Sequence, residues 1–444
     1  MAMLCTLSVL LSLLVPAHTT RSPDCGGILT PSGLRYLAEV SKPHAESVLR
    51  RDLMDSPAPS PTSPRSVLVS QHLPFCSSRN HITSVKVDKF SLTLVPDTGM
   101  RLSIEVDLGI TSAPSSTKEM RLSILADLHV DMNPEGNLEL VTSDCKPTLE
   151  EVQSTEETDS PSVTSLFFLF FIPQICLEVS KLLLFPNERL MSLAAPFPIT
   201  PNCQVQYLPL AAPMYSEQGI IISLQTTFQV AGAVIPLPVS PVPFSMPEPA
   251  SSSPSHLILA FSEHFYTSLF SALEESGALN VSLLSSLTTA TLAERITQMG
   301  SLFQEDLPVV LQAVTRSSPH VVLEEDKAIV QLFLTAQIGA GSSPFQSFLS
   351  VNVVGVEAWG ACADEEMGAL RVLPCGKLSM DPGSTQLATF PLSFFLSEVL
   401  RQGVFLPHIT SFTYTDVNIT IHKVRKTFKL LPAVLDLREA REQR

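Results

Sequence analysis

Seven prolines fall between Pro236 and Pro254, in the run PLPVSPVPFSMPEPASSSP, and divide a 444-residue chain into two halves. Proline has no backbone N–H and holds φ near about −65°, so such a run cannot join a sheet ladder and favours an extended strut. On both sides of it the same order recurs, an amphipathic helix followed by long stretches of period-two alternation. The expected organisation is an N-terminal unit over 21–235, a linker over 236–254 and a C-terminal unit over 255–444.

The first unit opens with TPSGLRYLAEVSKPHAESVLRRDLM, where Thr30 is placed to cap a helix and Pro31 to occupy its first turn. Leu34, Leu37 and Val40 give its apolar stripe, and Pro43 predicts a kink. From Ile82 the period changes to two. Val85 and Val87, then Phe90, Leu92 and Leu94, lead to a turn at Pro96–Gly99; Leu102, Ile104, Val106, Leu108 and Ile110 follow. Leu122 to Met132 alternate likewise, turn at Asn133–Gly136 and continue through Leu138 and Leu140. Polar residues fill the alternate positions, which predicts long antiparallel strands with one buried and one wetted face. A further strand is read over Ile222–Val230.

In the second unit HLILAF reads as a short strand, Ser262 as a helix cap, Phe265, Leu269 and Leu273 as a buried stripe, and Gly277 as the stop. Residues 280–315 read as helical, with Leu284, Leu287, Leu292, Ile296 and Met299 as the stripe. Strand periods return at Val330–Ile338 and Phe345–Val353. The fold class is α+β, helices set against antiparallel meanders.

Chemistry is sparse in this pattern. The ten histidines are scattered, and no HExxH pair, GxSxG elbow, P-loop or Cys/His cluster occurs, so neither catalysis nor a cofactor or metal is expected. His129 and Asp131 share the polar face of one strand and read as exposed decoration. Up to residue 250 there are 15 Lys/Arg against 24 Asp/Glu, and the remainder holds 13 against 19, which excludes nucleic acid as a partner by composition. Residues 1–20 carry an apolar run from Val9 to Val15 and read as a secretory signal peptide, so the product is expected to be secreted. The sequence assigns no oligomeric state.

What remains is apolar surface: 45% of the residues are hydrophobic and 16% charged. A curved sheet around an amphipathic helix encloses a tubular interior that either fills with its own side chains or admits an acyl chain. At about 0.8 kcal/mol per buried methylene, lipid binding needs no polar motif. Cys145 and Cys176 would close a loop worth about 3 to 4 kcal/mol by chain entropy and form the expected disulfide. Asn280 and Asn418 head two N-glycosylation sequons, Asn-Val-Ser and Asn-Ile-Thr.

The order of amphipathic helix, meander, Cys145 to Cys176, proline strut and repeated half resembles the family of bactericidal permeability-increasing protein, lipopolysaccharide-binding protein and the palate-lung-nasal-clone proteins. The segments ADLHVDMNPEGNLEL, LEVSKLLLFPNERLMSL and SLQTTFQVAGAV look like those of an egg-white member. The resemblance implies a boomerang of two tubular barrels joined by a central sheet, each with an apolar lipid pocket between helix and strands. It matches Cys145 and Cys176 to the family's single disulfide. By position it makes Leu34, Leu37, Leu102, Ile104, Leu122 and Ile124 pocket lining. It further implies a non-enzymatic binder of phospholipid or another acyl lipid, with an antibacterial role at bacterial membrane surfaces in egg or mucosal fluid. A structural or storage protein with filled barrels is the alternative. The family's endotoxin binders present a cationic tip on the first barrel, and this acidic chain departs from that pattern.

Three stretches, Pro57–Ser77, Ser160–Gln174 and Gly355–Ser397, break the periodicity. Each ends in residues that pyrimidine-rich codons write (LPFCS, FFLFFIPQ, FPLSFFLS), which resemble translated acceptor splice sites, so they read as gene-model insertions. Without them, and without Cys5 of the signal, four cysteines remain: Cys25, Cys145, Cys176 and Cys203.

Overall fold

A computed structural model describes residues 22–54, 81–112, 116–153, 175–236, 255–294 and 305–359, save 178, 325–326 and 342–344, together with 246, 303, 415–419 and 431–436. The signal segment, the linker apart from Pro236 and Met246, and the stretches Pro57–Ser77 and Ser160–Gln174 lie outside the described residues.

The first half begins with strand β1 (Cys25–Leu29) and helix α1 (Pro31–Met54), followed by β2 (His81–Val95), β3 (Gly99–Ser112), β4 (Ser116–Met132) and β5 (Leu138–Gln153). Helical residues 175–177 and 179–182 lead through a turn at Leu183 to α2 (Leu184–Met191), and β6 (Phe197–Thr200), β7 (Cys203–Pro209), β8 (Met214–Ser216), β9 (Gly219–Val230) and β10 (Ala233–Val234) follow. The second half repeats the opening with β11 (Leu257–Phe261) and α3 (Glu263–Glu275). Then come β12 (Val281–Thr288), the short α4 (Thr289–Ala293), β13 (Pro308–Glu324), β14 (Lys327–Ala340), β15 (Gln346–Trp359), β16 (Thr415–Ile419) and β17 (Leu431–Asp436).

The described strands form three sheets. β2-β3-β4-β5 and β12-β13-β14-β15 are four-stranded antiparallel meanders, one in each half. A third sheet runs β16-β17-β11-β1-β9-β7-β6, with β8 and β10 on β9, and so draws strands from both halves. Its centre is β1, paired antiparallel with β9 on one edge (Gly27 opposite Ile222) and with β11 on the other (Gly27 opposite Leu259).

Local chemistry explains the elements. Thr30 caps α1, its hydroxyl accepting the Gly33 N–H at 3.1 Å, and the helix continues through Pro43. Ser262 caps α3 by accepting from Phe265 N at 3.2 Å, and Gly277 at φ 74° stops that helix. In β2 the apolar phase switches between Val87 and Phe90 because Asp88 is an extra residue: Val87 faces Val106, yet Lys89 faces Glu105. Both phases therefore reach the same side of the sheet.

Three expectations are corrected. The buried face of α1 is Leu34, Ala38, Ala45, Val48, Leu49 and Leu53; Leu37 is only half-buried and Val40 is 46% exposed. The helix expected over 280–315 is instead β12, the five-residue α4 and the start of β13, with Leu284 and Leu287 exposed. Leucines three apart fit a helix and fall on opposite faces of a strand, so the local pattern favours helix; thirteen residue pairs between β13 and β14 decide the outcome through long-range hydrogen bonds that local propensity does not report. The stretch expected to be aperiodic from Gly355 opens as strand: β15 runs on to Trp359, with Gly355 opposite Leu332 and Trp359 opposite Ala328. Residues 360–397 lie outside the described residues.

Two apolar cores follow from this topology. One packs α1, the first meander and residues 175–183; the other packs the central sheet, α3 and the second meander. Between them lies a polar seam. Asp24, 1% exposed, accepts from Thr226 N at 2.9 Å and from the Thr226 hydroxyl, while its backbone oxygen accepts from Ser262 N at 2.9 Å. His264 Nδ1 lies 3.7 Å from the same carboxylate. At the other end of β1, the Thr30 hydroxyl donates to Ser255 O at 2.6 Å, and Tyr36 stacks on His256 at 4.9 Å.

Cys25 and Cys203 are free thiols, both fully buried. They flank β9 on opposite sides, opposite Leu224 and Val230. Six residues of strand separate them by about 20 Å, far beyond the roughly 7 Å that a disulfide spans. Among the described residues the four cysteines therefore make one bridge, Cys145–Cys176, and not two.

Two outcomes are expected. A Cβ on Gly33 would lie 2.2 Å from His256 O, so Gly33→Ala should lower stability by about 1 to 3 kcal/mol in urea melts, with α1 displaced from β11. An unchanged midpoint would mean that the contact is not made. Burial pushes the Cys25 thiol upward, with Asp24 adding to it, and pushes Cys203 up to about 11. The unfolded chain gives up these protons near its ordinary value of about 8.5, so the folded state holds more protons between there and about 11. Stability should therefore fall as pH rises through that window, and Cys203→Ala should reduce the slope of the urea midpoint against pH.

Candidate functional site

The inner face of the first meander is a grid of apolar side chains set by register. Leu102 faces Ala126, Ile104 faces Ile124 and Val106 faces Leu122 across β3 and β4. Of the residues expected to line a pocket, Leu34, Leu102, Ile104, Leu122 and Ile124 meet here, each no more than 2% exposed; Leu37 stays at the margin, outside the cluster.

A four-stranded meander has two raw edges whose backbone groups must be satisfied. In the first half, helices close both. Along β2, three residues of α1 spaced four apart reach the backbone. Lys42 Nζ donates to Asp88 O at 2.7 Å, Glu46 accepts from Val87 N at 3.3 Å, and Arg50 donates to Val85 O at 3.2 Å. Arg50 and Glu46 also pair at 3.0 Å. Along β5, Asn187 of α2 imitates a neighbouring strand, accepting from Leu140 N at 2.7 Å and donating to Leu140 O at 3.0 Å. Cys145 of β5 is bonded to Cys176 beside the same helix, with Cα atoms 6.0 Å apart. Tyr215 of β8 ties the meander to the central sheet by accepting from Val130 N at 2.6 Å.

The second half uses the same device more sparingly. β12 pairs with β13 only between Pro308 and Ala313, and beyond it Glu263 of α3 accepts from Leu323 N at 3.0 Å. Glu274 accepts from the Ser318 hydroxyl. The inner face here carries Val330, Leu332 and Leu334, all buried, but its far row is less covered. Leu311 faces Ile338, which faces Leu349; the first two are half-buried and Leu349 is 42% exposed.

Other expected sites fall as follows. Asn280 is exposed in the turn between α3 and β12, and Asn418 lies in β16 opposite Val434. His129 Nε2 lies 3.1 Å from Asp131, whose side chain is 59% exposed, on the outer face of β4. That face carries a ladder of ion pairs: Arg101 with Asp127, Arg121 with Asp107, Lys89 with Glu105. Among the described residues no group of three His, Cys, Asp or Glu could hold a metal, and no helix is long and apolar enough to cross a membrane.

Sequence reasoning missed the edge clips. Lys42, Glu46 and Arg50 at i, i+4 and i+8 read as a solvated charged face, and a single asparagine carries no signal. Asn187→Ala should strip protection from Leu140 in hydrogen exchange and cost about 1 to 2 kcal/mol, because two edge groups lose their partner together. Unchanged exchange at Leu140 would show that solvent serves that edge equally well.

No family model matches the chain. Among curated proteins it is 52% identical to Protein TENP of Gallus gallus over 454 aligned residues, covering 97% of this chain and 99% of that one. It is 22% identical to BPI fold-containing family B member 2 of Homo sapiens, covering 95% and 97% respectively. Among solved structures, a crystal structure of lipopolysaccharide binding protein aligns over 95% of this chain and 100% of its own at a TM-score of 0.47 and 15% identity. On the first of these relationships, which spans both halves, the chain belongs to the BPI/LBP/PLUNC family, together with TENP.

Proposed function

We propose that this is a secreted, non-enzymatic lipid-binding protein that holds acyl chains against the apolar inner faces of its two meanders. One observation carries the reading: the row Leu311, Ile338 and Leu349 lies on the inner face of the second meander, continuous with a buried apolar core, yet is incompletely covered. Exposed leucine on a concave inner face is costly in water, at about 25 cal/mol per Å², and an acyl chain would remove that cost. The names of the relatives, which include a BPI fold-containing protein and a lipopolysaccharide binding protein, support a lipid partner.

Within this reading the two halves are tubular units joined through the central sheet, Leu34, Leu102, Ile104, Leu122 and Ile124 line the first, and glycans sit on Asn280 and Asn418. The host-defence role would be exerted on phospholipid of bacterial membranes. The outer face of the first meander is an ion-pair ladder of both signs and not a cationic surface, which disfavours the phosphates of lipopolysaccharide as the recognised group. The full burial of Ile104 and Ile124 favours a second reading for the first half alone, a storage or structural unit filled by its own side chains.

Native mass spectrometry of the purified full chain tests both. Bound phospholipid is expected, with occupancy lost in Ala336→Phe, which fills the inner face beside Ile338 while the fold persists by circular dichroism. Two lipids per chain would assign a pocket to each half, and one would leave the first half filled. A chain that neither carries lipid nor takes up phosphatidylcholine from vesicles would overturn the proposal.

A further inference from the structure

Two ionisable side chains meet inside the polar seam, one from each half. Asp24 stands directly before β1 and His264 in the first turn of α3, with side chains 1% and 5% exposed. The carboxylate accepts from the Thr226 backbone N–H and hydroxyl, and its Oδ2 lies 3.7 Å from His264 Nδ1. That separation is within ion-pair reach but too long for a hydrogen bond. Thr226 supplies hydrogen bonds and no charge, so the buried carboxylate still lacks compensation. Among the described residues, His264 is the group placed to bring it. The other titratable groups on the surrounding elements are not. The Cys25 thiol is an acid, pushed well up by burial, with Asp24 adding to it. On α3, Glu263 is turned to Leu323 N, Tyr266 is pushed up to about 12 by burial, and Glu274 and Glu275 stand at the far end. Of β7, Tyr207 and Cys203 are buried; on β13, Arg316 and His320 are exposed and Glu324 is half-buried. Asp436 of β17 lies beyond the far end of β11, and β9 and β11 carry no titratable side chain.

We propose that Asp24 and His264 form a proton-operated latch between the two halves, closed when the imidazole is protonated. The imidazolium carries an N–H on both nitrogens, so Nδ1 then donates to Asp24 Oδ2. Burial ordinarily disfavours a charged imidazole. Here the added proton cancels a charge already buried, and the pair as a whole becomes neutral. In the unfolded chain a histidine titrates near about 6.5, and in the closed seam His264 titrates above that. The folded state therefore holds an extra proton as pH rises past the unfolded value. The latch contributes fully below about 6.5 and is lost as pH rises through the folded value. Each pH unit between the two values is about a tenfold change in the folding equilibrium. The loss begins below the window in which Cys25 and Cys203 act. Because Asp24 O also accepts from Ser262 N at 2.9 Å, opening the latch loosens the junction of β1 with the start of α3.

NMR of the full chain with carbon-labelled histidine follows the imidazole directly, and His264→Gln identifies its resonance by deleting it. In wild type that resonance should titrate above about 6.5. In Asp24→Asn it should titrate below, because an imidazolium is then buried without a counter-charge. Urea melts of wild type should lose stability from about pH 6.5 to about 8.5, and His264→Gln should be flatter over that range. Hydrogen exchange of wild type needs no variant to fold: protection of the Thr226 and Ser262 amides should drop over the same range. A His264 resonance that titrates below the ordinary value, or at the same pH with and without Asp24, would overturn the latch. So would a stability slope unchanged by His264→Gln, or constant protection at Thr226 and Ser262.

Discussion

Strand β1 has five residues, Cys25–Leu29, and is hydrogen-bonded along both edges, to β9 of its own half and to β11 of the other. Everything else hangs on this double pairing. A strand so placed has no room for side chains on its approach side, and the sequence answers with Gly26 and Gly27. A Cβ on Gly26 would lie 2.6 Å from Ile222 O and 2.7 Å from Met246 Sδ. Directly before the strand stands a buried carboxylate, Asp24, which is satisfied by Thr226 from β9 and lies beside Ser262 and His264 at the start of α3. Burial of an unpaired carboxylate would be prohibitive, so these partners fix the register of three elements at once. Because α1 leaves β1 directly and α3 leaves β11 directly, the seam also aims both helices at their meanders.

The second constraint is the sheet edge. An apolar core beside a sheet edge leaves that edge's backbone N–H and C=O groups in need of partners. In the first half, Lys42, Glu46 and Arg50 satisfy backbone groups of β2, and Asn187 both groups of Leu140 in β5, without adding a strand. These polar groups are the reason the apolar residues behind them can be purely apolar. Tethering Cys176 to Cys145 keeps the Asn187 helix near β5, so the covalent bond and the side-chain clip act on the same seam. Cys145 also packs against the edge of the first core.

These layers differ in how far the sequence discloses them. The meanders are legible because a half-buried strand must alternate, and even the bulge at Asp88 leaves its mark as the change of phase between Val87 and Phe90. Helix caps at Thr30 and Ser262 are legible because capping is decided within four residues. The failures share a cause, dependence on distant partners. Val40 fits the α1 stripe by spacing, but Ala38 is the residue that is buried in the folded chain, while Val40 is exposed. VSLLSSLT reads as helix until β13 supplies a ladder beside it. The clips are invisible for the same reason: a lysine, a glutamate and an arginine four apart belong to every solvated helix, and only the edge of β2 gives them a task. The family resemblance carried what spacing could not, the pairing of two meanders through a shared central sheet.

The duplication then acquires a physical meaning beyond repetition. In both halves a glutamate on the first helix accepts a backbone N–H from a meander strand, Glu46 from Val87 and Glu263 from Leu323. In the first half that contact belongs to a row of three on an edge strand of full length. In the second it stands on β13, past the point where the shorter β12 stops pairing. Shortening the first strand of a meander leaves more of the next strand's edge for the helix to cover, and α3 is only about half as long as α1. Coverage therefore falls where the helix ends. The row Leu311, Ile338 and Leu349 is the consequence, an inner face whose outer rows the helix does not reach. One plan, applied with two helix lengths, yields an inner face that is fully buried beneath α1 and one whose outer row stays partly exposed.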